Sequence, residues 1–366
     1  MHQGGYTESG KASFYAMKFH VETERLILRE FREEDAQTIQ ELQSTIEALT
    51  KQKSNKSQEA LDMLAQGKLE QAEKYFELVA LEARHKGKEA DIEEAVALRH
   101  IGSLAYLHDT QKALDAYQRS TELAPDNKKG WNQLGILYQR IGELDKAKNA
   151  YMTVLQLAGE DQEFQARAYN NLGGVYETRG ELVKAFEYYE KSLAISEALG
   201  IKEGMAIQYC NLGIVYQTRG ELDKAFEYYE KALAISEALG NIGGMATANG
   251  NLGSVYKIHG ELDQAVEYYK KALTINEALG NKEGIAIQYG SLGNVHETRG
   301  ERDQAFEYYE KALTINEALG NKEGMAREYG NLGNVYHTRG ELDQAVEYHE
   351  KALAIGEALG NKGGIA

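Results

Sequence analysis

Asparagine recurs at one position of this sequence every 40 residues. It stands at Asn171, Asn211, Asn251 and Asn331, with Ser291 taking the same place in between. An amide side chain both donates and accepts hydrogen bonds, so it can bridge the N–H and C=O groups of an extended peptide. Helices pack roughly 8–10 Å apart and an extended chain advances about 3.3 Å per residue, so one asparagine per repeat would meet a peptide about every three residues.

Other polar residues surround this row, and together they form the predicted peptide-binding surface. Its members are Arg167, Asn171, Asn211, Gln217, Asn251, Lys257, Asn294, Arg327, Asn331 and Asn334. The amides would bind the backbone of the peptide, and the flanking residues would supply its sequence preference. The alternative is that the asparagines only link neighbouring helices.

Residues that could perform catalysis or bind a metal are sparse. The nine histidines form neither a His-x3-His nor a His-Glu-x-x-His arrangement, and His296 and His349 stand where sibling repeats carry tyrosine. The single cysteine, Cys210, has no histidine at a fixed position beside it. Gly5-x4-Gly10-Lys11 has phosphate-loop spacing, but Ala12 replaces the hydroxyl residue that would hold magnesium. We therefore predict no catalytic residue, no cofactor and no metal.

Composition narrows the class of protein further. The net charge of −16 argues against a nucleic-acid partner, because binding to the phosphate backbone depends on clustered Lys and Arg. Proline occurs once, at Pro125, and residues that favour helices abound. No apolar run approaches the roughly 18 residues of a membrane span, and one cysteine suits a reducing compartment. We expect a cytoplasmic helical protein.

A 40-residue repeat organises the elements that would position these side chains. Residues 281–320 and 321–360 differ at only 11 positions, and a glycine ends the same segment at 180, 220, 260, 300 and 340. Each unit is predicted to be two antiparallel helices, for example 202–219 and 221–239, stopped by Gly220 and Gly240. Gly213 and Ala225 are expected to be small because the two helices cross closest there.

One unit carries the motif of a known repeat. Trp131-x2-Leu134-Gly135-x2-Tyr138, followed by Ala147 and Tyr151, resembles the tetratricopeptide repeat, and the resemblance covers roughly residues 55–360. It implies an all-α, right-handed α-solenoid of about eight helix-turn-helix units. It also implies that the faces of the first helices line a concave groove, and hence a non-catalytic scaffold that binds extended or helical segments of other proteins.

The expected organisation has six parts: a tail at 1–20, a strand-helix remnant and leading helix at 21–54, two degenerate units at 55–126, a third unit at 127–160, five near-identical units at 161–360, and the start of a further helix at 361–366. The longer units, with Ala-Leu-Gly-Asn-Lys-Glu-Gly at their junctions, look like those of Pins-type adaptors, bacterial multi-repeat proteins and, more loosely, kinesin light chains. The final segment suggests either a fragment of a longer protein or an end covered by self-association.

A second resemblance lies near the N-terminus. Residues 21–36, Val-Glu-Thr-Glu-Arg-Leu-Ile-Leu-Arg-Glu-Phe-Arg-Glu-Glu-Asp-Ala, resemble the start of an N-acetyltransferase domain. The loop that would bind the acetyl-CoA pyrophosphate in that family has no full counterpart, because Leu104 and Leu144 occupy its last position in the nearest candidates. The alternative function is therefore an acetyltransferase-derived or signalling enzyme fragment whose repeats select a substrate or sense a ligand.

The last turn of several first helices carries an arginine, at Arg179, Arg219, Arg299 and Arg339. A cation at this point favours the negative end of the helix dipole, so we predict a helix cap. Contact with an acidic ligand is the second interpretation.

Overall fold

The computed structural model describes residues 63, 69–84, 88–106 and 109–358. Within these ranges the chain forms fifteen α-helices and no strand, which confirms an all-α helical repeat architecture of the solenoid type. The helices are α1 (Leu69–Arg84), α2 (Lys88–Ala105), α3 (Thr110–Leu123), α4 (Lys128–Arg140), α5 (Leu144–Ala158), α6 (Gln162–Thr178), α7 (Leu182–Leu199), α8 (Lys202–Thr218), α9 (Leu222–Leu239), α10 (Ile242–His259), α11 (Leu262–Leu279), α12 (Lys282–Thr298), α13 (Arg302–Leu319), α14 (Lys322–Arg339) and α15 (Leu342–Ala358).

The helices pair into hairpins, each made of an A helix and the B helix that follows it. The A helices are α2, α4, α6, α8, α10, α12 and α14, and the next helix in each case is the B helix. Each B helix also packs against the next A helix within the same unit, for example α9 against α10 and α13 against α14. The chain divides into two compact units, residues 1–200 and 201–366. The first contains α1–α7, and the second contains α8–α15.

The helix ends follow from local chemistry. Gly220 and Gly240 have φ of +78° and +65°, a left-handed conformation that stops α8 and α9 at the predicted places. Asn281 begins α12 because its Oδ1 accepts a hydrogen bond from the Gly284 N–H at 3.0 Å. Because no proline ends the later B helices, α9 runs for 18 residues whereas α3 has 14.

The core of each hairpin repeats one pattern. In α8–α9, Leu212 and Val215 on the A helix and Ala225 and Tyr229 on the B helix are all fully buried. These are the residues that helical spacing predicts to face each other. Gly213 lies opposite the Tyr229 ring, which takes the space that a side chain on this residue would need. The small residue is therefore required by the packing of a ring, whereas the sequence indicated only a close crossing of the two helices.

Candidate functional site

The A helices of neighbouring hairpins lie against each other, α4 with α6 in the first unit and α8 with α10 and α10 with α12 in the second. Their remaining polar side chains therefore share a surface within each unit, which we call the A-face. Asn334 and Arg327 are exposed there. The half-buried predicted members are Arg167, Asn211, Gln217, Asn251, Lys257, Asn294 and Asn331. Asn171 differs, since it is buried.

On the B helices α5, α7, α9, α11 and α13, a buried tyrosine reaches the A-face with its hydroxyl group. Tyr229 Oη donates to Gln217 Oε1 at 3.0 Å. Tyr309 Oη lies 2.8 Å from Asn294 Oδ1 and 2.7 Å from Glu297 Oε2, and its single proton is shared between these two acceptors. Since the oxygen of Gln217 accepts from Tyr229, its NH₂ group is directed elsewhere and keeps its donors. Tyr229 thus fixes the orientation of one predicted site residue, and Tyr309 contacts another.

The same contact recurs with other partners along the chain. Tyr151 Oη donates to Gln139 at 3.2 Å and Tyr189 Oη to Glu177 at 2.6 Å, while Tyr269 and Ser254 share a bond of 3.1 Å. Burial raises the pKa of Tyr189 and Tyr309 far above the usual tyrosine value, and their glutamate neighbours add to the effect. Burial also raises the pKa of Glu177, against the bond from Tyr189. The hydroxyl groups therefore remain neutral donors.

At Asn171 the structure favours the linking role over peptide binding. The side chain is 9% exposed, and its Nδ2 donates to Asn132 Oδ1 on the preceding A helix at 2.9 Å. Because its Nδ2 is already hydrogen-bonded and its side chain is buried, Asn171 links α4 to α6. The sequence left the linking role and peptide binding open, and it gave no sign of this partner because α10, α12 and α14 carry Gly250, Gly290 and Gly330 where α4 has Asn132.

Glu328 is a site residue that the sequence reasoning missed. Its side chain is completely buried, yet it accepts hydrogen bonds from Arg327 Nε at 2.9 Å and Asn331 Nδ2 at 3.0 Å. It lies against Gly290 on the preceding A helix, where an added Cβ would stand 2.9 Å from Oε1. The sequence contained a sign of this contact, because Gln208 and Gln288 occupy the same repeat position as Glu328. Gly250 faces Gln288 as Gly290 faces Glu328.

Three further polar atoms on the second unit's A helices are buried without a hydrogen-bond partner among the described residues. They are the donor Asn251 Nδ2 and the acceptors Gln208 Oε1 and Gln288 Oε1. Such groups cost about 1–3 kcal/mol each when left unsatisfied, and native structures keep few of them.

The arginines at the ends of the A helices form ion pairs between hairpins. Arg179 Nη2 lies 2.6 Å from Asp145 Oδ1, Arg339 Nη2 lies 2.6 Å from Asp303 Oδ1, and Arg299 pairs with Asp263 in the same way. Each aspartate lies in the first turn of the preceding B helix. These three guanidinium groups therefore bind carboxylates of the neighbouring hairpin. This role is neither the helix cap nor the contact with an acidic ligand that the sequence suggested.

The described residues contain no group of three or more His, Cys, Asp or Glu side chains arranged to hold a metal ion. His296 stacks on Tyr308 with ring centroids 5.2 Å apart and hydrogen-bonds Glu301, so it occupies a tyrosine's place in the packing. His349 lies against Gly333 as the tyrosines lie against their glycines, but it is exposed. Among the helices described, none is long and apolar enough to span a bilayer.

Several features predicted from the sequence lie outside the described residues. They are the tail at 1–20 with its phosphate-loop spacing at Gly5–Lys11, the strand-helix remnant and leading helix at 21–54 with the acetyltransferase-like segment 21–36, and the helix start at 361–366.

Solved structures share this fold. The apo form of RapI has 19% identity, with 74% of this chain and 100% of that chain covered and a TM-score of 0.59. A chain of the APC/C hetero-tetramer Cut9–Hcn1 has 15% identity, with 87% and 57% covered and a TM-score of 0.53. A putative kinesin light chain from Podosopora anserina, described by its nearly identical TPR-like repeats, has 20% identity, with 54% and 96% covered and a TM-score of 0.43. At these identities the likeness concerns the fold alone. No curated protein matches the chain by sequence.

The family profile described as tetratricopeptide repeat matches residues 129–198, 204–278 and 284–358, which is more than half of the chain. The matches include α6–α15, whose hairpins carry the glycine–ring contacts and the A-face described above. Repeats of this family bind other proteins and are typically non-catalytic. The chain therefore belongs to the tetratricopeptide repeat family and is a protein-interaction scaffold.

Proposed function

We propose that the A-face of the second unit binds an extended segment of a partner protein, with its amides contacting the peptide backbone. The observation that carries this proposal is the set of buried tyrosine hydroxyls that hold A-face side chains in place, as Tyr229 does at Gln217 and Tyr309 does at Asn294 and Glu297. Side chains fixed before binding lose less conformational freedom when the peptide arrives, so their hydrogen bonds contribute more to affinity.

The charges of this face set the partner's sequence preference. Lys257 and Arg327 are cations, whereas Glu297 accepts from Tyr309 and Glu328 is buried against Arg327. A segment whose acidic side chains are separated by uncharged polar ones suits such a mixed surface better than an unbroken acidic run, because like charges brought together without solvent are costly. Membrane and nucleic-acid partners are not part of the proposal.

The test is a peptide-library selection against the whole chain, followed by measurement of the dissociation constant of the selected peptides. The variant Asn251→Ala, Asn294→Ala, Asn334→Ala removes three amides from successive A helices. The matched control, Gln264→Ala, Gln304→Ala, Gln344→Ala, removes three exposed amides at one repeat position of the B helices. We expect the first variant to weaken binding at least tenfold, on the order of 0.5–1.5 kcal/mol per hydrogen bond, and the control to leave it unchanged. Equal affinity for both variants, with unaltered helicity, would refute the A-face as the binding surface.

A further inference from the structure

A cavity of about 500 Å³, broadly open to solvent, lies between α1, α2 and α3 of the first unit. Its floor is apolar and buried, formed by Ala80, Leu98, Ile101 and Ala116. Its rim carries Glu77, Lys112, Asp115 and Arg119. The volume of this cavity falls within the range of small-ligand sites, and its floor is apolar as theirs is.

Comparison with a later hairpin shows which side chains are missing at the cavity. Gly102 faces Tyr117 in hairpin α2–α3 as Gly213 faces Tyr229 in α8–α9, so the two hairpins can be aligned residue by residue. In this alignment Leu98 stands where α8 has Tyr209, and Ala116 stands where α9 has Tyr228. Two aromatic rings are thus replaced by smaller side chains at the floor of the cavity.

In the later hairpin those rings pack together. Tyr209 and Tyr228 have centroids 5.7 Å apart with planes at 72°, an edge-on arrangement that aromatic rings favour. The same pair occurs at Tyr329 and Tyr348, with 5.7 Å between centroids and planes at 69°. The space at hairpin α2–α3 is therefore one that the fold otherwise fills with rings.

The cations that accompany the rings remain at the cavity. In α9, Lys231 Nζ lies 4.9 Å from the centroid of Tyr228. Arg119 occupies the position of Lys231, and Lys112 occupies the position of Lys224, whose Nζ lies 5.1 Å from the Tyr216 ring. The negative face of an aromatic ring attracts such cations, so the rim keeps electrostatic complementarity to a ring that this hairpin does not supply.

Two rim cations stand beside acidic groups, which limits the ligand's charge. Lys112 Nζ lies 2.6 Å from Glu77 and 3.1 Å from Glu73, and Arg119 Nη1 lies 3.0 Å from Glu122. Because these carboxylates balance the cations, an anionic ligand would gain little. A neutral ring gains the apolar floor and the cation–ring attraction together.

We infer that this cavity is a binding site for a neutral phenolic ligand, whose ring takes the place of the missing tyrosines. This site lies in the first unit, whereas the proposed peptide-binding surface is the A-face of the second unit.

The test uses p-cresol, which is the tyrosine side chain, titrated into the whole chain and followed by calorimetry and by the methyl NMR signals of Leu98, Ile101 and Ala116. We expect saturable binding with a dissociation constant of about 1 mM or lower, and shifts at these three methyl groups. The nonaromatic analogue 4-methylcyclohexanol, of similar size, should bind about two- to fivefold more weakly, because it lacks the attraction to a cation. The anionic 4-hydroxybenzoate should bind no better than p-cresol.

Two variants fill the cavity by restoring the repeat's own tyrosines, Ala116→Tyr and Leu98→Tyr. Each should weaken p-cresol binding at least tenfold while helicity is retained. Two variants are used so that the test still stands if one of them does not fold. Lys129→Tyr adds the same ring at an exposed position away from the cavity and should bind like the wild type. The inference is overturned if p-cresol gives no saturable shift in the wild type, if both filled variants bind it normally, or if the two neutral probes bind equally.

Discussion

The ring of Tyr229 occupies the space that a side chain on Gly213 would need, because a Cβ built there would lie 2.5 Å from Tyr229 Cε1. Tyr229 is fully buried, and its hydroxyl continues past the glycine to Gln217. One glycine therefore allows a ring to cross from a B helix to the A-face, linking core packing to the candidate site. The same pairing joins Gly102 to Tyr117, Gly135 to Tyr151, Gly173 to Tyr189, Gly253 to Tyr269 and Gly293 to Tyr309.

Gly213→Ala should destabilise the protein although alanine favours helices. Overpacking against a buried ring costs about 1–3 kcal/mol, which exceeds the helix-propensity gain of about 0.5–1 kcal/mol. The control is Gly330→Ala in α14, where an added Cβ meets nothing within 4 Å and φ is not positive. That variant should raise the free energy of unfolding. Urea unfolding followed by circular dichroism measures both, and a destabilised control together with a neutral Gly213→Ala would contradict the packing argument.

Arg327→Ala should destabilise the second unit because it removes a donor from the buried Glu328 carboxylate. The expected loss is about 1–2 kcal/mol, since Arg327 is itself 51% exposed and water can partly replace it. Glu328→Gln introduces the residue that Gln208 and Gln288 place at this position, so it should be tolerated. In the Glu328→Gln background, Arg327→Ala should cost little. Urea unfolding of this double-mutant cycle measures the coupling, and strictly additive effects would mean that the pair does not interact.

His100 should make the first unit less stable in mild acid. Burial, with a smaller effect of Arg99, lowers its pKa to about 3, and neither ring nitrogen has a hydrogen-bond partner among the described residues. The unfolded chain takes up the proton near the usual value of 6.5 while the folded chain does not, so the free energy of unfolding falls as pH drops from about 6.5 to 3. Above pH 6.5 this contribution is constant.

The variant His100→Leu tests this account. It keeps a similar volume beside Phe76, whose ring lies 5.1 Å from that of His100, and it removes the titrating group. Its urea midpoint should therefore decline less than that of the wild type between pH 6.5 and 4. Parallel curves for the two proteins would show that His100 does not set the pH dependence.

Arg179→Gln should raise the pKa of Asp145. The hydrogen bond and charge of Arg179 hold the pKa of this carboxyl below its usual value of 3.8, and Lys148 contributes less. A carboxyl with a lowered pKa stabilises the fold above its unfolded-state pKa, and this stabilisation is lost as pH falls through the folded-state value. Carboxyl ¹³C NMR titration should show a larger upward shift in Arg179→Gln than in Lys148→Gln. Equal shifts would show that the pairing across hairpins has no special role.

The sequence predicted the features that repeat within a hairpin. Gly220 and Gly240 end their helices at the expected residues, and Asn281 caps α12 because cap chemistry acts over three or four residues. The family and the all-α fold follow from the same period. That the A-face binds a peptide stays a prediction.

Contacts between hairpins were harder to predict because they join residues that lie far apart in the chain. Asn171 bonds Asn132, Arg179 pairs with Asp145, and Glu328 lies against Gly290. Each of these three side chains contacts the preceding repeat. The sequence had indicated a ligand or a linking role for Asn171 and a helix cap for Arg179, and it had not singled out Glu328. Pairing each residue with those about 34 to 40 positions earlier would have exposed these partners, as the glycine opposite Glu328 shows.

The contacts that join one hairpin to the next are themselves repeated. Phe226 meets Tyr256 edge-on with centroids 5.4 Å apart, and Phe306 meets Tyr336 at the same distance. If unequal recombination added or removed one such 40-residue block, the hairpins at the new junction would make the same contacts as those at the existing junctions. Evolution could therefore adjust the length of this array, and with it the number of A-face amides, without first inventing a new interface.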